Sequence, residues 1–168
     1  MRTLNDVSIS GRNVAVAEVA GGSVAGESIT GRYNIGPDMA RKGMKIIKAN
    51  PGRLIAIIRV SGYRFPIQLF SPRQTPEGVE FSEVRGKTSS ISHVFTAFMK
   101  YGPNVFRRKG EERGPVQVVT GLSVANMVRE KEEVLPDMEK RIKEQLTKRA
   151  AYWMGEALAG KMAKYGGA

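Results

Sequence analysis

The spacing of apolar residues changes character several times along the chain. From Val14 to Tyr33 the segment is rich in Ala, Gly and Val, and Val16, Val19, Val24 and Ile29 keep no clean helical period. Gly21, Gly22 and Gly26 weaken a helix there by about 1 kcal/mol each relative to Ala. Two readings stay open: a helix supported by a partner surface, or a mobile segment ordered on assembly. The first dozen residues are polar and mixed and read as a loose arm. Residues 1–33 are therefore expected to be a flexible or weakly helical N-terminal segment.

Turn chemistry then punctuates the chain. Gly36-Pro37-Asp38 opens a short helix over Pro37–Lys42, with Pro in the first turn. Met44–Ala49 and Leu54–Val60 flank Asn50-Pro51-Gly52 and read as a hairpin. In its second strand Leu54, Ala56, Ile58 and Val60 face one side and Arg53, Ile55, Ile57 and Arg59 the other. Phe65–Phe70 reads as a further strand, with Pro66 at an edge or a start. Thr75-Pro76-Glu77-Gly78 is a turn, followed by a run with Val79 and Phe81 inward. Lys87–Ser90 reads as a polar loop, and Ile91–Tyr101, Val105–Lys109 and Val116–Val119 as strands. Ser123 suits the N-cap of a helix over Val124–Glu133. A longer helix begins at Pro136, carries Met138, Ile142, Leu146, Ala150, Trp153 and Ala157 on one face, and ends at Gly160. The expected fold is α+β: a small, curved, mostly antiparallel sheet packed by a long C-terminal helix. It occupies residues 34–160, with 161–168 a loose tail.

The chain has 168 residues, the size of one domain. No run of about 18 apolar residues is present, so no membrane partner is expected. No basic head precedes an apolar run at the N-terminus, so no secretion signal is expected. Cysteine is absent, which removes disulfides and thiolate chemistry and suits a reducing cytoplasm. Charge changes the picture more. Of the net +11, +8 lies in residues 31–75, with nine basic residues and one acid. Arg41, Lys42, Lys45, Lys48, Arg53, Arg59, Arg64 and Arg73 are the candidates for a face that meets DNA or acidic neighbours. Tyr33, Tyr63 and Phe65 interleave with Arg32, Arg59 and Arg64, which suits single-stranded nucleic acid and equally suits core aromatics beside surface arginines.

Catalytic constellations are not assembled. His93 is the only histidine, and beside aromatics it reads as a packed or hydrogen-bonded core residue. The carboxylate pairs Glu111-Glu112 and Glu132-Glu133 lie in charged surroundings where nothing raises a pKa. The Gly-containing segments lack the Lys-Ser/Thr that closes a phosphate loop. No metal site and no cofactor is expected. Arg107-Arg108-Lys109 reads as a solvated strand end in preference to a phosphate grip.

One ordered series of fragments remains. It runs Lys48-Ala49, Phe65-Pro66-Ile67-Gln68-Leu69, Phe70-Ser71-Pro72-Arg73-Gln74, Gly78-Val79, His93-Val94-Phe95, Met99, Gly102, Val105-Phe106-Arg107-Arg108 and Gly121-Leu122-Ser123-Val124 through Met127. In order and spacing the series resembles the minor tail protein Z family of long-tailed bacteriophages, over roughly residues 30–160. Family members often carry a longer, strongly basic N-terminal region, which here is short, nearly neutral and glycine-rich. The resemblance implies a non-enzymatic virion protein that completes the tail at its head-proximal end and helps join it to the portal vertex. It implies assembly in the bacterial host cytoplasm and a closed ring of this chain, six copies by analogy. Implied neighbours are the tail terminator, the tail tube and the head–tail connector, with genomic DNA in the channel. The motif residues look structural: Pro66 and Pro72 set chain direction, Gly78 and Gly102 permit tight turns, and Phe70, Phe95 and Phe106 supply buried area. Arg73 suits a bidentate carboxylate contact within the domain or across a subunit boundary. The alternative is a stand-alone basic nucleic-acid-binding module.

Overall fold

A computed structural model describes residues 2–100, 102–110, 112–130 and 134–165. The chain begins with a helix, α1 (Arg2–Ala20), in place of the expected loose arm. Val14, Ala15, Val16, Ala17, Val19 and Ala20 are all buried. A helix covered on every side needs no polar stripe, which is why its sequence shows no amphipathic period. Gly11, unfavourable for helix in isolation, lies at a crossing. A Cβ there would stand 2.8 Å from Ile142 Cδ1 and 3.4 Å from Ile58 Cδ1. Gly21, at φ +90°, ends α1, and its N–H donates to the Ala17 carbonyl at 2.7 Å.

A hairpin follows, β1 (Gly22–Val24) with β2 (Glu27–Ile29), turned at Ala25 and Gly26. Both turn residues have positive φ, as a two-residue hairpin loop demands. Next come α2 (Pro37–Lys42) at the expected bounds, then β3 (Met44–Ile47) and β4 (Ile57–Val60). The expected hairpin forms, with Asn50 and Arg53 exchanging backbone hydrogen bonds at 3.0 Å each way. Its paired part is shorter than expected. Leu54 and Ile55 are 66% and 58% exposed, outside the strand. Pairing stops there because the far end of β3 is diverted: the Asn5 side chain takes the Ala49 N–H at 2.7 Å and donates to its carbonyl at 3.3 Å.

β5 (Arg64–Pro66) ends at the proline, and Ile67–Phe70 is a 3-10 helix in place of the expected strand. Pro66 brings no N–H to continue a ladder. Beyond Ser71, at φ +52°, run β6 (Arg73–Gln74), β7 (Gly78–Phe81), β8 (Ser89–Ser92), β9 (Val94–Met99), β10 (Gly102–Arg108), β11 (Val116–Val118) and β12 (Thr120–Ser123). The expected polar loop over Lys87–Ser90 is in its second half the start of β8. His93 is exposed, at φ +58° between β8 and β9, and is not the packed core residue expected. Histidine is among the residue types enriched in the left-handed region, where the chain here turns from one sheet into the next.

The fold is α+β. All strand pairings are antiparallel, and the described strands form five two- or three-stranded sheets. The sheets and α1 share one core that includes Tyr33, Met44, Ile67, Phe70, Val79, Val105, Val124 and Met127.

Two helices close the chain, α3 (Val124–Glu130) and α4 (Val134–Tyr165). Ser123 caps α3 as expected, its Oγ accepting the Asn126 N–H at 3.2 Å. Helix α4 runs antiparallel to α1. Gly11 meets Ile142, and Asp6 pairs with Arg149 at 2.6 Å. The helix continues through Gly160, and of its expected apolar face only the first part is covered. Met138 is 9% exposed, but Leu146 and Trp153 are each 40% exposed. At about 1.5 Å per residue, α4 is roughly 48 Å long, and its described residues from 151 to 160 are exposed. The pair Glu132-Glu133, Glu111 and residues 166–168 of the expected tail lie outside the described residues. Among the described residues no helix is long and apolar enough to cross a membrane.

Candidate docking site

The motif residues build the frame. Phe70 is wholly buried and Phe106 is 6% exposed. The Phe95 and Phe106 rings lie 6.1 Å apart, and the Arg108 guanidinium sits 5.1 Å over Phe95. Arg108 also donates to the Arg113 carbonyl at 2.8 Å, so it is occupied within its own hairpin. Gln74 ties two sheets: its amide donates to the Gly78 carbonyl at 2.7 Å and its oxygen accepts the Thr96 N–H at 2.8 Å. Gly102 has φ +94°, the conformation the tight turn needs. Gly78 does not have positive φ; its place is set by contact, since a Cβ would run into the Ile91 carbonyl.

Gly121 is explained the same way. A Cβ there would strike the Glu83 carboxylate, which accepts the Leu122 N–H at 2.7 Å. Burial, only partly offset by this hydrogen bond and reinforced by Glu130, raises the Glu83 pKa. Between the ordinary value of 4.5 and the raised one, the folded chain keeps a proton that the unfolded chain has lost. Stability therefore falls as pH rises through that interval and stays lower above it. Glu83→Gln keeps the acceptor and removes the buried charge, so its stability should show less of this fall. Glu83→Ala leaves the Leu122 N–H unpaired and should cost about 1–3 kcal/mol. Urea melts from pH 4 to 8 check both; an undiminished slope in Glu83→Gln would refute the assignment.

The basic candidates lie elsewhere on the surface, and all eight are exposed. Lys42, Lys45 and Arg59 come together. Lys45 and Arg59 are directly opposed across β3–β4, and Lys42 stands in the last turn of α2. With Tyr63, which is 71% exposed, they ring a cleft of about 640 Å³. Its floor is apolar: Met39, Val60, Phe65 and Val124. Phe65 and Val124 are buried, and Gly43 leaves the room that Val124 fills. Arg64 follows Tyr63 directly on β5. The remaining candidates are not in the cleft. Arg41 pairs with Asp38 at 3.3 Å. Lys48 and Arg53 flank the hairpin turn, beside the exposed Leu54 and Ile55. Arg73 lies on β6 opposite Glu80 in register, with no ion pair among the described residues.

Of the three interleaved aromatics, Tyr33 is 0% and Phe65 8% exposed, so both are core and Tyr63 alone is free to stack. Burial, followed by the Glu130 carboxylate, raises the Tyr33 pKa. Sequence reasoning missed two features. Arg85, unremarked in its loop, donates to the Ala20 carbonyl at 2.9 Å and the Tyr33 carbonyl at 3.3 Å, fixing the end of α1. Tyr152, Met154 and Leu158 are 61%, 61% and 63% exposed on α4, apolar side chains off the expected face that add to the surface left open at this end of the helix.

Among the described residues no cluster of three or more His, Asp or Glu side chains is placed to hold a metal ion. Comparison with protein-family models, with characterised proteins and with solved structures finds no match.

Proposed function

We propose that this chain is a structural virion protein that works by binding, completing the head-proximal end of a long-tailed phage tail and helping it join the portal vertex. The observation that carries the reading is the division of labour among its residues. The fragments that resemble the tail protein Z family hold the frame together: Phe70, Gln74, Gly121, Ser123 and Met127 are core, cross-link, close contact and cap. Lys42, Lys45 and Arg59 and the apolar end of α4 are left at the surface. A platform with separate basic and apolar surfaces suits a joint that meets more than one neighbour. Copies joined head to tail would close into a ring, six by the same analogy, located in the neck of the virion.

The test is electron microscopy of particles made without this chain. Separate heads and tails are the expected result. Normal infectious particles would remove the joining role.

A further inference from the structure

We propose that the cleft at the foot of the β3–β4 hairpin takes an acidic segment of a partner protein that inserts one large apolar side chain. The inference rests on reading this face as a docking surface and adds what the occupant must be.

Charge is the first argument. Lys45 and Arg59 face each other in register, and like charges directly opposed weaken a strand pair. Neither has an ion pair among the described residues, and neither does Lys42. A carboxylate-rich occupant relieves a repulsion that the isolated domain leaves in place.

The floor is the second. Phosphate contacts are made by charge and hydrogen bonds and gain nothing from an apolar floor. Here the cations rim a depression closed below by Phe65 and Val124, which only an apolar group can dry. Its volume of about 640 Å³ falls within the range of roughly 300–1,000 Å³ that holds compact ligands. The aromatic side chains separate protein from nucleic acid. Strand-binding platforms stack successive bases on successive aromatics. Of the two aromatics that line the cleft, only Tyr63 is exposed for that purpose, because Phe65 belongs to the core.

The experiment uses the full chain and fluorescence anisotropy. Two labelled peptides carry the same number of Asp and Glu residues; one has a central Leu, the other Ser in its place. A labelled oligothymidylate is the third probe. The Leu peptide is expected to bind at least about ten-fold tighter than the Ser peptide, the share contributed by burying one aliphatic side chain. That ratio should persist at high salt, which screens charge and leaves apolar contact. The double variant Lys45→Glu/Arg59→Glu should lose about ten-fold or more for the Leu peptide. Both positions are exposed, and an unchanged thermal melt establishes that the variant folds; Lys45→Gln/Arg59→Gln provides the milder second pair.

Equal affinity for the two peptides overturns the proposal, and so does failure of both to bind. Tighter binding of the oligothymidylate also overturns it, especially with a loss of roughly 20-fold between 50 and 200 mM salt, the value for three neutralised phosphates of a single strand. None of these outcomes touches the particle-assembly test, which stands or falls separately.

Discussion

Phe70→Ala is expected to lower unfolding free energy by about 3–5 kcal/mol, read from the urea midpoint. Phe70 is 0% exposed, and its backbone carbonyl accepts the Ser82 N–H at 3.0 Å, fixing the 3-10 turn against the segment after β7. Its neighbour supplies the control. Leu69 is 45% exposed, and Leu69→Ala should cost roughly 1 kcal/mol or less. The pair discriminates two local structures. In a strand, residues two apart share a face, so Leu69 would lie buried with Phe65 and Ile67 while Phe70 pointed away. In a 3-10 helix residues three apart eclipse, which puts Ile67 and Phe70 together in the core. Equal losses at the two positions would refute the 3-10 turn.

Gly78→Ala should be the second severe change. Gly78 stands opposite Ser92 in the β7–β8 pair. An added Cβ would collide with the Ile91 carbonyl and lie 2.9 Å from Ser92 Cα. These are backbone atoms, so no rotamer relieves the contact and the strands must part. Overpacking of this kind costs about 1–3 kcal/mol and occasionally more. Gly62 provides the contrast. It lacks positive φ and an added Cβ meets nothing within 4 Å, so Gly62→Ala should be neutral or stabilise by up to about 1 kcal/mol. Denaturant midpoints measure both, and hydrogen exchange should show the loss in Gly78→Ala concentrated at residues 89–92. A loss at Gly62 equal to that at Gly78 would show that chain flexibility, not contact, sets the need for glycine.

Short-range chemistry was legible wherever it acted alone. Pro37 in a first turn, the Asn50-Pro51-Gly52 turn, Ser123 as a cap, and Val79 with Phe81 on one face of a strand each depend on a few neighbouring residues. The concentration of charge in residues 31–75 was equally plain. Its arrangement was not. The register that sets Lys45 against Arg59 follows from the hairpin, but the cleft also needs α2, β5 and the start of α3, which lie far apart in sequence.

The sequence by itself determined the α+β class, the main turns, the Ser123 cap and the basic surface, because propensity, turn geometry and charge are properties of local residue order. Only the tertiary structure decided that α1 is a central helix, that Gly11, Gly78 and Gly121 are places of close contact, and that α4 extends beyond its support. Each of those depends on which distant atoms arrive beside a residue. Burial on all sides erases the periodic signal that marks a surface helix, and a missing Cβ shows its purpose only when the neighbour that would strike it is in place.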